Sequence, residues 1–179
     1  MGHGATPGAW LHPDDPLYRQ PLPPLLAFVA AAPALGAARA SVRELTEHAK
    51  ARERAWSRGK HAERPAVHMR LAQADMRIRC AGLLLRQTAE EIEALTPQAP
   101  LTLRARLRMQ CSWALTLCTE AVESLAEVAG AHAHQRSEPL QRRLRDLRMM
   151  RCHVIFEPDS TAELYGRTLF GLDPETLLV

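Results

Sequence analysis

Apolar residues recur at alternating spacings of four and three along most of this chain, the signature of helices with one buried face. The cleanest run is Val67, Leu71, Ala74, Ile78, Ala81, Leu85, Thr88, Ile92 and Leu95. A second, Leu107, Cys111, Ala114, Cys118, Ala121, Leu125 and Val128, has small seam residues and ends at Gly130. Small seam residues let helices approach closely, so this helix is expected at the centre of a bundle or in a subunit contact. An earlier helix runs from Pro21–Pro24 to about Arg54 with Leu35, Ala38, Val42, Leu45 and Ala49, and Pro33 and Gly36 are expected to bend or restart it.

The fourth stripe is shorter: Leu140, Leu144, Leu147, Met150 or Arg151, and Val154, with Ser137 near the N-cap and Pro139 where a missing N–H costs nothing. Ser160 with Glu163 reads as a capping box for a last short helix that stops at Gly171. "WSRGKHAERP", Trp56 to Pro65, reads as a mobile connector, and "TPQAP", Thr96 to Pro100, as a helix stop. No segment alternates as a strand would. The pattern predicts an all-α fold: an antiparallel four-helix bundle over residues 19–179 with a short C-terminal helix, after a disordered lead-in over 1–18.

At 179 residues and 46% apolar content there is material for one core. The 23 basic and 20 acidic residues are interspersed along the helices and do not alternate with aromatics, which excludes a nucleic-acid footprint. Cys80, Cys111, Cys118 and Cys152 all fall inside apolar helical patterns without CxxC spacing, which suits a reducing cytoplasm. His132 and His134 have ligand chemistry but no partner at zinc-site spacing, and read as surface histidines. "PLLAFVAAAPALGAARA" imitates a targeting signal, yet Asp14, Asp15 and prolines 23, 24 and 33 argue for a core helix and against export or membrane insertion.

The candidate chemistry lies in "LQRRLRDLRMMRCHVIFEPD", where Arg142, Asp146, Met149 and His153 share one helix flank. On pattern alone this is an Arg-Asp pair on a helix surface with a histidine near the C-terminus.

The segments Pro16–Ser41, Arg70–Gln87 and Pro139–Pro174 together resemble the C-terminal helical domain of the acyl-CoA dehydrogenase superfamily, and more narrowly its flavin-dependent monooxygenase branch. The strongest local pieces are Gln141-Arg142, Arg145-Asp146 and Gly166 to Gly171. The resemblance implies a bundle that, in full-length relatives, packs over the flavin ring and forms much of a tetramer's core. It also implies a catalytic role for His153, because in the monooxygenase branch a histidine seven residues after this aspartate faces flavin and substrate. The dehydrogenase branch places a glutamate base shortly after the same helix in an EGT-type motif; "FEPDST" departs from it at Glu157, which favours the monooxygenase branch.

The helical and β-barrel domains that supply most flavin contacts in full-length relatives have no counterpart in these residues. FAD or FMN is therefore expected only when a partner completes the site. Arg142 and Arg145 are the cofactor-side candidates; Arg142 would meet an anionic group on a ligand or simply reach solvent, while Arg145 with Asp146 would fix the helix against a neighbour. Three functional readings remain open, beside the possibility that the chain is a fragment of a longer enzyme. The chain is a component of a flavin-dependent oxidoreductase working with a flavin-binding relative, or a cofactor-free enzyme with His153 as general base, or a non-catalytic homo-oligomer joined through the small-residue seam.

Overall fold

A computed structural model describes residues 8, 11, 12, 14, 15, 18, 20–51, 60–176 and 178. Five α-helices carry the fold: α1 Leu22–Ala51, α2 Pro65–Glu93, α3 Leu101–Ala129, α4 Pro139–Arg151 and α5 Pro158–Leu169, with no strand among the described residues. The side-chain pairs Arg70–Glu127, Arg77–Glu120, Thr88–Gln110 and Glu91–Arg106 run in opposite order along α2 and α3, so the two are antiparallel. Arg148 of α4 meets Glu123 while Phe156, in the turn after α4, meets Ser112 further back along α3, so α4 also runs antiparallel to α3. The expected antiparallel bundle with a short last helix is the observed one.

The α2 seam is buried from Val67 to Leu95 apart from Leu71, which is only partly covered. Helix α3 carries two buried rows: the expected one, and a second through Ala105, Arg108, Ser112, Leu115, Thr119, Val122 and Ala126. It sits at the centre, packed by the other four helices. Its Ala and Cys seam lies at 0% exposure inside the chain, so that seam is used internally and is not free for a subunit contact.

Helix α1 buries Ala27, Ala31, Ala34, Ala38, Ser41, Leu45 and Ala49. Pro33 neither ends nor restarts it. The carbonyl deprived of an amide partner by Pro33 is that of Val29, and both residues lie on the exposed side, where water replaces the missing bond. By length and composition α1 is apolar enough to cross a membrane, but its alanine row is packed into the bundle core.

Several local expectations are corrected. Residues 52–59, including Trp56, and most of the lead-in lie outside the described residues. The remainder of the connector is anchored: His61–Glu63 form a 3-10 turn, and the His61 ring bonds the Val128 carbonyl at 2.8 Å. The N-cap of α4 is Glu138, directly after Ser137, with Pro139 next in the chain, and the helix stops at Arg151, leaving Val154 exposed. The N-cap of α5 is Glu157, not Ser160, because Pro158 occupies the first helical position and the Glu157 carboxylate accepts the amides of Asp159 and Ser160. Gly171, at φ 70°, closes α5 with the Leu172 amide returning to the Arg167 carbonyl at 3.0 Å.

Two of the four cysteines are not core residues: Cys80 and Cys152 are exposed, whereas Cys111 and Cys118 are buried. Burial pushes both buried thiols up to about 12, so neither forms thiolate at neutral pH. A thiol reagent counted by mass is expected to label Cys80 and Cys152 in the native protein and to reach Cys111 and Cys118 only on unfolding.

Candidate functional site

The turn over 152–157 that carries His153 exists because α4 cannot continue and still bury Ile155 and Phe156. Both residues are nearly fully buried, and an extended α4 would carry them around the helix. The chain instead folds back on the His153 carbonyl, which accepts the Phe156 amide at 2.8 Å and the Glu157 amide at 3.0 Å.

Two polar side chains of α3 hold this turn from beneath. Arg108, only 3% exposed, donates from Nε to the Ile155 carbonyl at 3.0 Å, from Nη2 to the Val154 carbonyl and from Nη1 to the Leu178 carbonyl. Ser112 Oγ donates to the Phe156 carbonyl at 2.6 Å. The guanidinium thus meets neutral carbonyls, and burial alone lowers its pKa from an ordinary value so high that the charge is kept. Neither residue was singled out by the seam pattern. The available signal was a positive charge and a hydroxyl four apart, each directly after a residue of the α3 seam, Leu107 and Cys111.

His153 itself is exposed, and its Nδ1 accepts the Ile155 amide at 3.2 Å. Its ring lies 6.4 Å, centroid to centroid, from that of Phe156. Met149 and Val154, at 67% and 56% exposure, give the surface around it an apolar character. Of the expected flank, Arg142, Asp146 and Met149 lie on α4, while His153 lies just beyond its end. Arg142 and Arg145 bracket Asp146 at 3.9 and 3.5 Å and point to solvent with it. The contacts that fix α4 to its neighbours are others: Arg143 forks onto Glu44 of α1, and Arg148 reaches Glu123 of α3.

The Arg143 hydrogen bond holds the Glu44 carboxyl below its ordinary 4.5, against the opposing effect of burial. The hydrogen bonds from Ser160 do the same for Glu157. A carboxylate spent on capping α5 is not a free base, which fits the departure from the EGT pattern at this position. Because both carboxyls are more acidic folded than unfolded, their stabilisation is complete above 4.5 and is lost as pH falls through the lower folded values. The urea midpoint is expected to drop on acidification from about pH 6 to about pH 3, and less steeply in Glu44→Gln.

Two clefts open among the described residues. A cleft of about 260 Å³ between Arg108, Val154, Glu163, Arg167 and Glu175 is below the usual span for a flavin-sized ligand. A smaller one lies between Glu44, His48, His61, His132 and Glu138. His153 lines neither, and Arg142 and Arg145 are engaged with Asp146. No group of three His, Cys, Asp or Glu able to hold a metal occurs among the described residues. What the geometry does provide is a proton-carrying ring, rigidly mounted and open on one side to whatever surface covers it.

Comparison with known proteins gives this arrangement a context. Residues 28–158 match the family described as "Acyl-CoA dehydrogenase, C-terminal domain". The oxygenase component of p-hydroxyphenylacetate 3-hydroxylase from Acinetobacter baumannii is 30% identical over 182 residues, covering 100% of this chain and 43% of that protein. Among solved structures, XiaF from Streptomyces sp., in complex with FADH2 and glycerol, superimposes with a TM-score of 0.82 at 28% identity, covering 90% of this chain and 42% of its own. The 3-HSA hydroxylase from Rhodococcus sp. RHA1 gives 0.82 at 26% identity, over 97% and 44%. The chain therefore spans less than half the length of each.

Proposed function

Because the chain belongs to the acyl-CoA dehydrogenase C-terminal domain family, we propose that it forms the helical wall of a flavin-dependent monooxygenase site whose flavin-holding domains lie on a partner surface. Its relatives and structural neighbours include such monooxygenases. The substrate class we assign is phenolic, in keeping with the hydroxylase of p-hydroxyphenylacetate. The flavin chemistry belongs to the domains that hold it, and the part of this chain is proton handling at His153 Nε2 beside the substrate oxygen. Arg142 and Arg145 are assigned to the partner-facing rim, where a flavin phosphate or the partner's own acidic groups would draw them from Asp146.

The observation that carries this reading is the mounting of His153: an exposed imidazole on a turn anchored by a buried arginine and serine, with apolar neighbours and lying outside both clefts among the described residues. A cofactor-free enzyme would need a pocket around that ring, so the partnered reading is preferred. The assembly is placed in the cytoplasm, consistent with four free cysteines.

The test is reconstitution. FMN and FAD are titrated against the purified chain, the separately produced flavin-binding domains, and the two mixed. We expect weak flavin binding by the chain alone, and tighter binding with phenol hydroxylation in the mixture. If the flavin affinity and turnover of those domains stay the same on adding the chain, the reading fails.

A further inference from the structure

We propose that Arg108, with Ser112, is a positioning residue that fixes the tautomer of His153, so that the ring meets an anionic substrate oxygen as an Nε2–H donor and not as a base. The chain of contacts is short. Arg108 Nε and Nη2 grip the Ile155 and Val154 carbonyls, Ser112 grips that of Phe156, and the peptide so held directs the Ile155 amide at His153 Nδ1.

An amide N–H has one fixed direction and only donates. The imidazole nitrogen facing it must accept, so in the neutral ring Nδ1 is bare and the proton sits on Nε2. A histidine held this way has no lone pair on its outward nitrogen with which to take a phenol's proton. It has an N–H, which stabilises a phenolate, or any other oxyanion that forms beside it, by a hydrogen bond to the charged oxygen. The substrate would therefore be taken as the phenolate, or lose its proton to another group.

The anchoring explains an otherwise awkward feature. An arginine this deeply buried is costly, and here it meets three backbone carbonyls where a carboxylate would neutralise it. Carbonyl groups define a direction for the backbone without adding an anion beside the histidine. A carboxylate in the same place would hold an adjacent imidazole protonated and erase the tautomer preference.

The inference rests on the proposed function of His153, but its main readout does not. Long-range ¹H–¹⁵N correlation on the labelled full chain, about two pH units above the unperturbed imidazole range, reports which ring nitrogen carries the proton. The His153 signals are identified by their loss in His153→Ala.

We expect an unprotonated Nδ1, a protonated Nε2 and a slowly exchanging Ile155 amide in the wild type. In Arg108→Lys, which keeps the charge but not the fork, we expect both ring nitrogens to move toward the tautomeric average and the Ile155 amide to exchange at least about tenfold faster. Should Arg108→Lys fail to fold, Ser112→Ala releases the same turn at Phe156 and carries the same expectation. Unchanged ring signals and exchange in a folded variant would overturn the proposal, as would an Nδ1–H wild-type ring. If these signals behave as expected while His153→Ala leaves turnover of the reconstituted enzyme unchanged, the catalytic reading fails and the tautomer assignment stands.

Discussion

Replacing His153 by alanine is expected to lower turnover of the reconstituted enzyme by about 10²–10³-fold, the usual effect of removing one oxyanion donor. Its thermal midpoint should barely move, because the exposed ring makes one hydrogen bond among the described residues, to a backbone amide that water can also serve. The informative comparison is with His153→Gln. Glutamine retains an N–H donor but cannot act as a base near neutral pH. If His153 works by donation, glutamine recovers part of the lost rate; if it works as a base, glutamine and alanine are equally poor. Steady-state kinetics on all three proteins with a phenolic substrate decides between them.

Arg108→Met is expected to have the largest effect on stability, a loss of roughly 2–5 kcal/mol. Methionine fills part of the volume and removes the charge, so the effect is not that of an orphaned ion. The cost arises at the carbonyls. That of Ile155 lies within a buried residue and loses its donor, whereas Val154 and Leu178 are exposed and their carbonyls are able to turn to water. Urea unfolding followed by circular dichroism measures the loss. A shift within about 0.5 kcal/mol of wild type would show that the turn holds itself without the arginine.

How much of this was legible in the sequence depended on how far each interaction reaches along the chain. The seams of α2 and α3 come from spacing within a helix, and nearly every residue assigned to them is buried. The small α3 seam indicated a central helix but not what covers it. The helix ends were harder. Ser137 and Ser160 are good capping residues on local grounds, but Pro139 and Pro158 take the first helical position and pass the cap to Glu138 and Glu157. Val154 continues the α4 stripe by spacing and yet is exposed, because the burial of Ile155 and Phe156 turns the chain first.

The site was legible as a position and not as a geometry. His153 stood out through its spacing from Asp146 and through family resemblance. Its supports, Arg108 and Ser112, lie more than forty residues away in sequence and bond only to backbone, which no side-chain pattern records. Arg145 and Asp146 drew attention because they are adjacent and opposite in charge. The pairs that tie α4 down, Arg143 with Glu44 and Arg148 with Glu123, join residues far apart in the chain and showed no local pattern.

The turn bearing His153 is gripped by its peptide groups, while the side chains of Cys152 and Val154 beside it are exposed, that of Cys152 bonding only the Arg148 carbonyl of its own helix at 3.4 Å. Frame and surface are thereby separated: these two positions can be exchanged for larger, smaller or polar residues while the peptide groups that hold the histidine stay where they are. Directed libraries aimed at new substrates would do best to vary 152 and 154 and leave 108 and 112 untouched.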